Sequence, residues 1–102
     1  MKIRLDFCDF GPNFLKTRNT LWNLLSQHFD LELASRPDFL IYSHDGHLHR
    51  MHDCSKIFYT CEAIRPDFSQ CDFALTCFPI DDPRHLRFPH YLWDHRGEEL
   101  IK

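Results

Sequence analysis

The stretch KIFYTCEAIRPDFSQCDFALTCF, residues 56–78, decides the fold class. It contains two short runs rich in apolar and β-branched residues, 56–60 and 73–78, which we predict to be buried β-strands. The segment between them, 61–71, is predicted to be a loop or a short helix. Strands that alternate with such crossovers are typical of a parallel sheet, so this stretch predicts an α/β fold.

The rest of the chain extends the same pattern. Apolar and charged side chains alternate at the N-terminus, which predicts a first strand, and apolar residues at helical spacing predict a helix from Phe14 to about His28. Asn13 is a candidate cap for that helix. Residues 43–55 are polar and His-rich, with room for one or two helical turns at most. The remaining strands are predicted near residues 3–7, 29–33, 39–42 and 86–91, which gives one Rossmann-like domain over residues 1–102 with a mainly parallel sheet.

Composition limits the class of protein. The chain has 102 residues, of which 43% are hydrophobic, so it suffices for one core and is not typical of a disordered segment. The net charge is −3 and there is no basic run, which makes a nucleic-acid partner unexpected. Apolar runs are far shorter than the roughly 20 residues of a membrane span. The N-terminus meets charge at Arg4 and Asp6 instead of an apolar signal region, so we expect a soluble cytoplasmic protein.

The cysteines support the same expectation. There are five, an odd number, and no two of them form a C-x-x-C pair. A disulfide framework normally uses an even number of cysteines in an oxidising compartment. We therefore predict mostly buried thiols, with a reactive thiol at Cys61 as an alternative.

Two features carry candidate chemistry, whereas the glycine-rich nucleotide-binding and serine-nucleophile motifs are absent from the sequence. Glu62 follows a predicted strand at the sheet edge where open α/β proteins place their functional loops, which suits a general base. Spacing alone favours a solvated loop glutamate. The histidines His44, His47, His49 and His52 are possible metal ligands, but their spacing matches no structural zinc pattern, and a polar crossover is the favoured interpretation.

A longer set of motifs points to a known family. Phe-Tyr-Thr at 58–60 is followed by Cys-Glu-Ala at 61–63, Arg-Pro-Asp-Phe at 65–68, Cys-Asp-Phe-Ala at 71–74 and an Arg-rich run ending in Pro-His-Tyr at 83–91. In order and spacing this resembles the N-terminal domain of the glycosyltransferase family 10 fucosyltransferases. Two positions depart from the family pattern: Cys61 stands where the family has glycine, and Ala63 where it has asparagine.

The resemblance implies a fold and an activity. Family members have a two-domain GT-B architecture and transfer fucose from GDP-fucose to a glycan hydroxyl with inversion, as in protein glycosylation. Their N-terminal domain faces the acceptor, and its glutamate after the Phe-Tyr-Thr strand is taken as the general base, a role that falls on Glu62. GDP-fucose is expected on a C-terminal donor domain, in cis or in trans, so this domain is expected to need no cofactor or metal and to be inactive alone.

Around Glu62 we expect an acceptor cleft built from the neighbouring strand-end loops. Three of the candidate residues have a structural alternative. Phe10 is an alternative core residue, Asn13 an alternative helix cap, and Arg65 an alternative ion-pair partner of Asp67 or Asp72. The candidate acceptor-binding residues are Phe10, Asn13, His44, Asp45 and Arg65. The alternative functions are a non-catalytic glycan- or protein-binding module of the same fold and a metal protein built on the histidine cluster.

Overall fold

A computed structural model describes residues 2–77 and 79–87. These residues form one six-stranded sheet with a single α-helix and a short 3-10 helix. The strands are β1 (Lys2–Cys8), β2 (Asp30–Leu33), β3 (Phe39–Tyr42), β4 (Ser55–Thr60), β5 (Phe73–Thr76) and β6 (His85–Arg87); the helix α1 is Thr20–Ser26 and the 3-10 helix is Leu48–Met51.

Every neighbouring pair of strands is parallel, in the order β2-β1-β3-β4-β5-β6. This confirms the predicted α/β class and its parallel sheet. The chain leaves β1 toward β2 on one side and later returns to β3 on the other side. The crevice beyond the carboxyl ends of β1 and β3 is therefore a topological switch point, where open α/β sheets bind their ligands.

Side chains alternate between the two faces of the sheet, and each face has its own core. On one face, Leu5, Phe7, Ile41 and Tyr59 pack with Leu21 of α1, and all five are buried. On the other face, the buried residues are Tyr42, Phe58, Cys71 and Ala74, with Cys8 and Phe68 packed against them. The central strands are covered on both faces, which explains their uninterrupted apolar runs.

The helix begins later than predicted. It starts at Thr20, and its cap is Asn19, whose Oδ1 accepts a hydrogen bond of 2.9 Å from the Trp22 N–H. The Asn19 amide also donates to the carbonyls of Leu15 and Lys16, at 2.9 and 3.0 Å. The Asn19 side chain thus closes the preceding turn and caps the helix. Because of these bonds, the residues before Asn19 do not join the helix. The prediction that Asn13 caps a helix was wrong.

The prediction of mostly buried thiols was also wrong, because two of the five cysteines form a disulfide and two of the three free ones are only half-buried. Cys61 and Cys77 form a disulfide with a Cα–Cα distance of 5.0 Å. The reason is register: Thr60 of β4 and Thr76 of β5 are Cα partners, so the next residue of each strand emerges side by side. Cys8, Cys54 and Cys71 are free, and Cys71 is buried. Because two of the cysteines are disulfide-bonded, the cysteine content no longer supports the expectation of a reducing compartment.

The last predicted strand is present as β6, while residues 88–91 of that prediction and Phe78 lie outside the described residues. Within the described part of the chain, no helix has the length and apolar character required to cross a membrane.

Candidate functional site

A cleft of about 580 Å³ opens at the carboxyl edge of the sheet. The loops that follow β1, β3 and β4 form its walls, so it lies at the topological switch point. The lining residues are Phe10, Gly11, Pro12, Asn13, Phe14, Ser43, His44, Asp45, Tyr59, Thr60, Cys61 and Glu62. Five of the six residues predicted from sequence therefore line one cleft.

Glu62 lies in the turn directly after β4, and its side chain is exposed. Its backbone N–H donates to Thr60 Oγ1 at 3.0 Å, and its carbonyl accepts from the Ile64 N–H at 2.8 Å. The preceding residue, Cys61, is tied to Cys77 by the disulfide. The turn is thus held by hydrogen bonds on both sides and by a covalent bond, which fixes the backbone that carries Glu62 at the cleft wall.

Aromatic rings form the opposite part of the cleft. Phe10 stacks on Phe14 with ring centroids 4.1 Å apart, and its ring lies nearly parallel to that of Tyr59 at 6.1 Å. Phe10 is half-buried against the core cluster and also lines the cleft. A flat aromatic wall beside polar groups is a common surface for binding a sugar ring.

His44 and Asp45 come from the loop after β3. The Nδ1 atom of His44 lies 3.0 Å from Thr60 Oγ1 and 3.3 Å from Ser43 Oγ. The backbone N–H of Asp45 donates to the Asp9 carbonyl at 2.9 Å, which joins this loop to the one after β1. A Cβ atom on Gly11, whose φ is +99°, would lie 3.0 Å from Asp45 Oδ2. The loops therefore approach closely, and Gly11 lets them do so.

Arg65 is not in this cleft. It lines a separate cavity of about 200 Å³, together with Arg50, His47 and Gln70, and His44 borders both cavities. Among residues 2–77 and 79–87, Arg65 forms no ion pair. The alternative of an ion pair with Asp67 is therefore not observed, since that carboxylate accepts hydrogen bonds from Ser69 and Gln70.

A buried Asp–His pair behind the cleft was missed by the sequence analysis. Asp9 Oδ2 lies 2.8 Å from His49 Nδ1, and the two side chains are only 1% and 6% exposed. The Asp9 carboxylate also accepts from the backbone N–H groups of Leu48 and His49, each at 3.1 Å. His49 stacks on Tyr42 with ring centroids 4.0 Å apart. These contacts hold the loop after β1 against the crossover that follows β3.

The charge of Asp9 is stabilised despite its burial. Burial by itself raises the pKa of this carboxyl group, but the hydrogen bonds from the His49 ring and from the Leu48 and His49 backbones outweigh it and leave the pKa lowered. The backbone at Asp9 has φ +63°, a conformation that aspartate tolerates better than most residues. A Cβ atom on Gly46 would lie 2.7 Å from Asp9 Oδ1, so glycine is required there. No local pattern signals this pair, because Asp9 and His49 are 40 residues apart in sequence.

The remaining histidines do not converge. His44 faces the cleft, His49 is buried on Asp9, and His52 lines another cavity beside Cys54. In the part of the chain that the structure describes, no three histidine, cysteine, aspartate or glutamate side chains lie close enough together to hold a metal ion. These histidines lie at different points of the connection between β3 and β4.

Comparison with known proteins gives a consistent result. Residues 5–93 match the family model described as the alpha-(1,3)-fucosyltransferase FucT N-terminal domain. No curated protein matches the sequence significantly.

Solved structures share the fold. The protein in a crystal structure of an alpha1,3-fucosyltransferase is 21% identical to this chain, with a TM-score of 0.74. The match covers 97% of this chain and 32% of that protein's chain. The protein in a crystal structure of an alpha1,3-fucosyltransferase with GDP is 20% identical to this chain, with a TM-score of 0.68, and the match covers 90% of this chain and 28% of that one. The protein in a crystal structure of an alpha1,3-fucosyltransferase with GDP-fucose is 20% identical to this chain, with a TM-score of 0.70. The match covers 96% of this chain and 29% of that protein's chain.

The chain thus spans about a third or less of the length of the structures it matches. Its fold is that of the N-terminal region of a GT-B fucosyltransferase, as the resemblance implied. Because the family model covers most of the sequence, the chain belongs to the alpha-(1,3)-fucosyltransferase FucT N-terminal domain family.

Proposed function

We propose that this chain is the acceptor-side domain of an inverting fucosyltransferase, with Glu62 as the general base. The observation that carries the proposal is the position of Glu62, which lies at the carboxyl end of β4 on the wall of a cleft at the topological switch point. Five predicted residues from three loops line that cleft. The family membership supports the same assignment.

The chemistry requires one well-placed carboxylate. A glycan hydroxyl is a poor nucleophile until its proton is removed as the oxygen attacks. The Glu62 carboxylate takes that proton while the acceptor oxygen forms a bond to the anomeric carbon of fucose. The bond from that carbon to the GDP oxygen breaks on the opposite face, and GDP leaves with the electron pair. A single displacement of this kind inverts the anomeric centre and needs no covalent intermediate.

The other cleft residues bind and orient the acceptor. Phe10, backed by Phe14 and Tyr59, offers a flat ring on which a sugar stacks. Asn13, His44 and Asp45 supply polar groups around it. Arg65 lies in the neighbouring cavity and contacts a more distant part of a branched or extended glycan.

The donor nucleotide binds elsewhere. The sequence has three glycines and no glycine-rich phosphate loop, and the matched structures are about three times as long as this chain or longer. We propose that GDP-fucose is held by a C-terminal domain, in cis or in trans, and that the two domains close over the acceptor. The chain alone then binds a glycan without turning it over.

A binding experiment tests this proposal. The ¹⁵N-labelled chain is titrated with oligosaccharides selected on a glycan array, and amide shifts are followed. We expect the shifts to concentrate in the loops after β1, β3 and β4. Asp45→Asn should weaken binding, whereas Asp30→Asn, a matched change at the opposite edge of the sheet, should not. Shifts confined to other surfaces, or equal affinity of both variants and wild type, would contradict the acceptor-side assignment.

A further inference from the structure

One hydroxyl group links the turn that carries Glu62 to the side chain of His44. Thr60 ends β4 and is only 1% exposed. Its Oγ1 atom accepts the N–H of Glu62 at 3.0 Å and lies 3.0 Å from His44 Nδ1. Thr60 thus contacts the backbone of the Glu62 turn and the imidazole of His44 at the same time.

The hydrogen atoms at this junction follow from simple counting. An amide N–H can only donate, so Thr60 Oγ1 is an acceptor toward Glu62 and has its single hydrogen left to donate. Ser43 is also buried, and its hydroxyl likewise faces His44 Nδ1, at 3.3 Å. When Nδ1 accepts, its one lone pair takes the hydrogen of the nearer hydroxyl, that of Thr60, which is thereby satisfied. In neutral imidazole the other nitrogen, Nε2, then carries the hydrogen.

We infer that Thr60 is a positioning residue that fixes the Glu62 turn and the Nε2–H tautomer of His44 together. His44 is exposed and lines the cleft, and its Nδ1 side is occupied by Thr60 and Ser43, so the Nε2–H is the ring group left to bind a ligand. Thr60 thus fixes the relative positions of two cleft residues: Glu62, a proton acceptor, and His44, a hydrogen-bond donor.

This arrangement has a consequence for the acceptor, and it rests on the proposed function. The attacked hydroxyl gives its proton to Glu62. His44 presents only an N–H, so it binds a second oxygen of the same sugar and does not compete as a base. The acceptor therefore needs a hydrogen-bond-accepting oxygen near the hydroxyl that receives fucose, which makes His44 a specificity residue.

The first test needs no enzymatic activity. Long-range ¹H–¹⁵N spectra report which ring nitrogen of His44 carries hydrogen at a pH where the ring is neutral. We expect the Nε2–H tautomer in wild type and in Thr60→Ser, and a larger share of the Nδ1–H tautomer in the isosteric Thr60→Val, in which only the more distant Ser43 hydroxyl faces Nδ1, at 3.3 Å. An Nδ1–H ring in wild type, or an unchanged tautomer in Thr60→Val, overturns the inference.

Thr76→Val is the matched control. Thr76 is the Cα partner of Thr60 on β5, is 0% exposed, and its hydroxyl contacts the Nε2 atom of another imidazole, His85. This variant loses a buried hydroxyl of the same kind without touching Glu62 or His44. It should keep the His44 tautomer of wild type, which separates a specific effect of Thr60 from general loosening of the sheet edge.

The second test uses transfer by the enzyme that contains the donor domain. Thr60→Val should raise the KM for the acceptor and lower kcat, each by roughly five- to tenfold, and Thr60→Ser should restore both. A deoxy acceptor that lacks the second oxygen should lose about the same factor with wild type but little with His44→Ala. Equal losses in both proteins overturn the role of His44. If wild type transfers no fucose, the proposed function fails, and the tautomer experiment still decides the role of Thr60.

Discussion

The Asp9 carboxylate and the His49 imidazole lie 2.8 Å apart in the interior, 40 residues apart in sequence. Asp9 begins the loop that carries Phe10 and Asn13 into the cleft, and His49 belongs to the crossover that follows the His44 loop. The pair therefore holds together two of the three loops that form the cleft. A strong buried bond here supports a rigid binding surface.

Loss of this pair should destabilise the fold. Asp9→Asn keeps the size of the side chain and tolerates the left-handed backbone, but it removes the charge that receives hydrogen bonds from Cys8, Leu48 and His49. We expect the free energy of unfolding to fall by about 1.5–3 kcal/mol, measured by urea denaturation at pH 7. The control is Asp38→Asn at the exposed ion pair with Arg4, which should cost less than about 1 kcal/mol. Equal losses in the two variants would contradict the structural role of Asp9.

The same pair predicts how stability depends on pH. The pKa of Asp9 is lowered in the folded state, so its contribution is complete above the unfolded value near 4 and is lost as the pH falls through the folded value. The difference in unfolding free energy between wild type and Asp9→Asn should therefore shrink below about pH 4. A difference that stays constant from pH 6 to pH 2 would show that Asp9 is not ionised in the fold.

The disulfide should stabilise the edge that carries Glu62. Cys61 and Cys77 close a loop with a sequence separation of 16, for which chain entropy gives about 3 kcal/mol. Reduction of wild type should lower the unfolding free energy by up to that amount, whereas the double variant Cys61→Ser, Cys77→Ser should not respond to reductant. Alkylation of the unfolded, unreduced protein should modify the three free cysteines, and five modified cysteines would refute the pairing.

The two asparagines near the helix should behave differently. Asn19→Ala removes the cap and the bonds to the preceding turn, so we expect a loss of about 1 kcal/mol of stability. Asn13 is exposed and lines the cleft, so Asn13→Ala should change stability by less than about 0.5 kcal/mol while weakening acceptor binding. Thermal denaturation and glycan titration of both variants check this contrast. A larger loss of stability in Asn13→Ala than in Asn19→Ala would contradict this assignment and would make Asn13 the structural residue.

Local patterns predicted most of the sheet. The run at 39–42 became β3 with the same bounds, because a buried parallel strand is apolar on both faces and needs no alternation to be recognised. Glu62 and its four cleft neighbours came together because parallel strands bring their carboxyl ends to one edge.

What sequence missed depends on partners that are distant along the chain. The helix α1 and the strands β2 and β3 lie between Asp9 and His49 in sequence, and the Cys61–Cys77 bond follows only once the register of β4 and β5 is known. The helix start was misplaced because apolar spacing from Phe14 onward ignores the competing bonds of Asn19. Arg65 was assigned to the cleft because it is close to Glu62 in sequence. The turn after Glu62 carries it to a neighbouring cavity instead, and spacing does not reveal that direction.

The central claim is that Glu62 is the base for fucosyl transfer, and the turnover of Glu62→Gln tests it most directly. The measurement compares kcat for transfer from GDP-fucose by wild type and variant, each in an enzyme completed by a donor domain on the same or a second chain. The account predicts a fall in kcat of roughly 10²–10⁴-fold, with the acceptor KM and the amide spectrum of the fold nearly unchanged. A variant that turns over within twofold of wild type would contradict it.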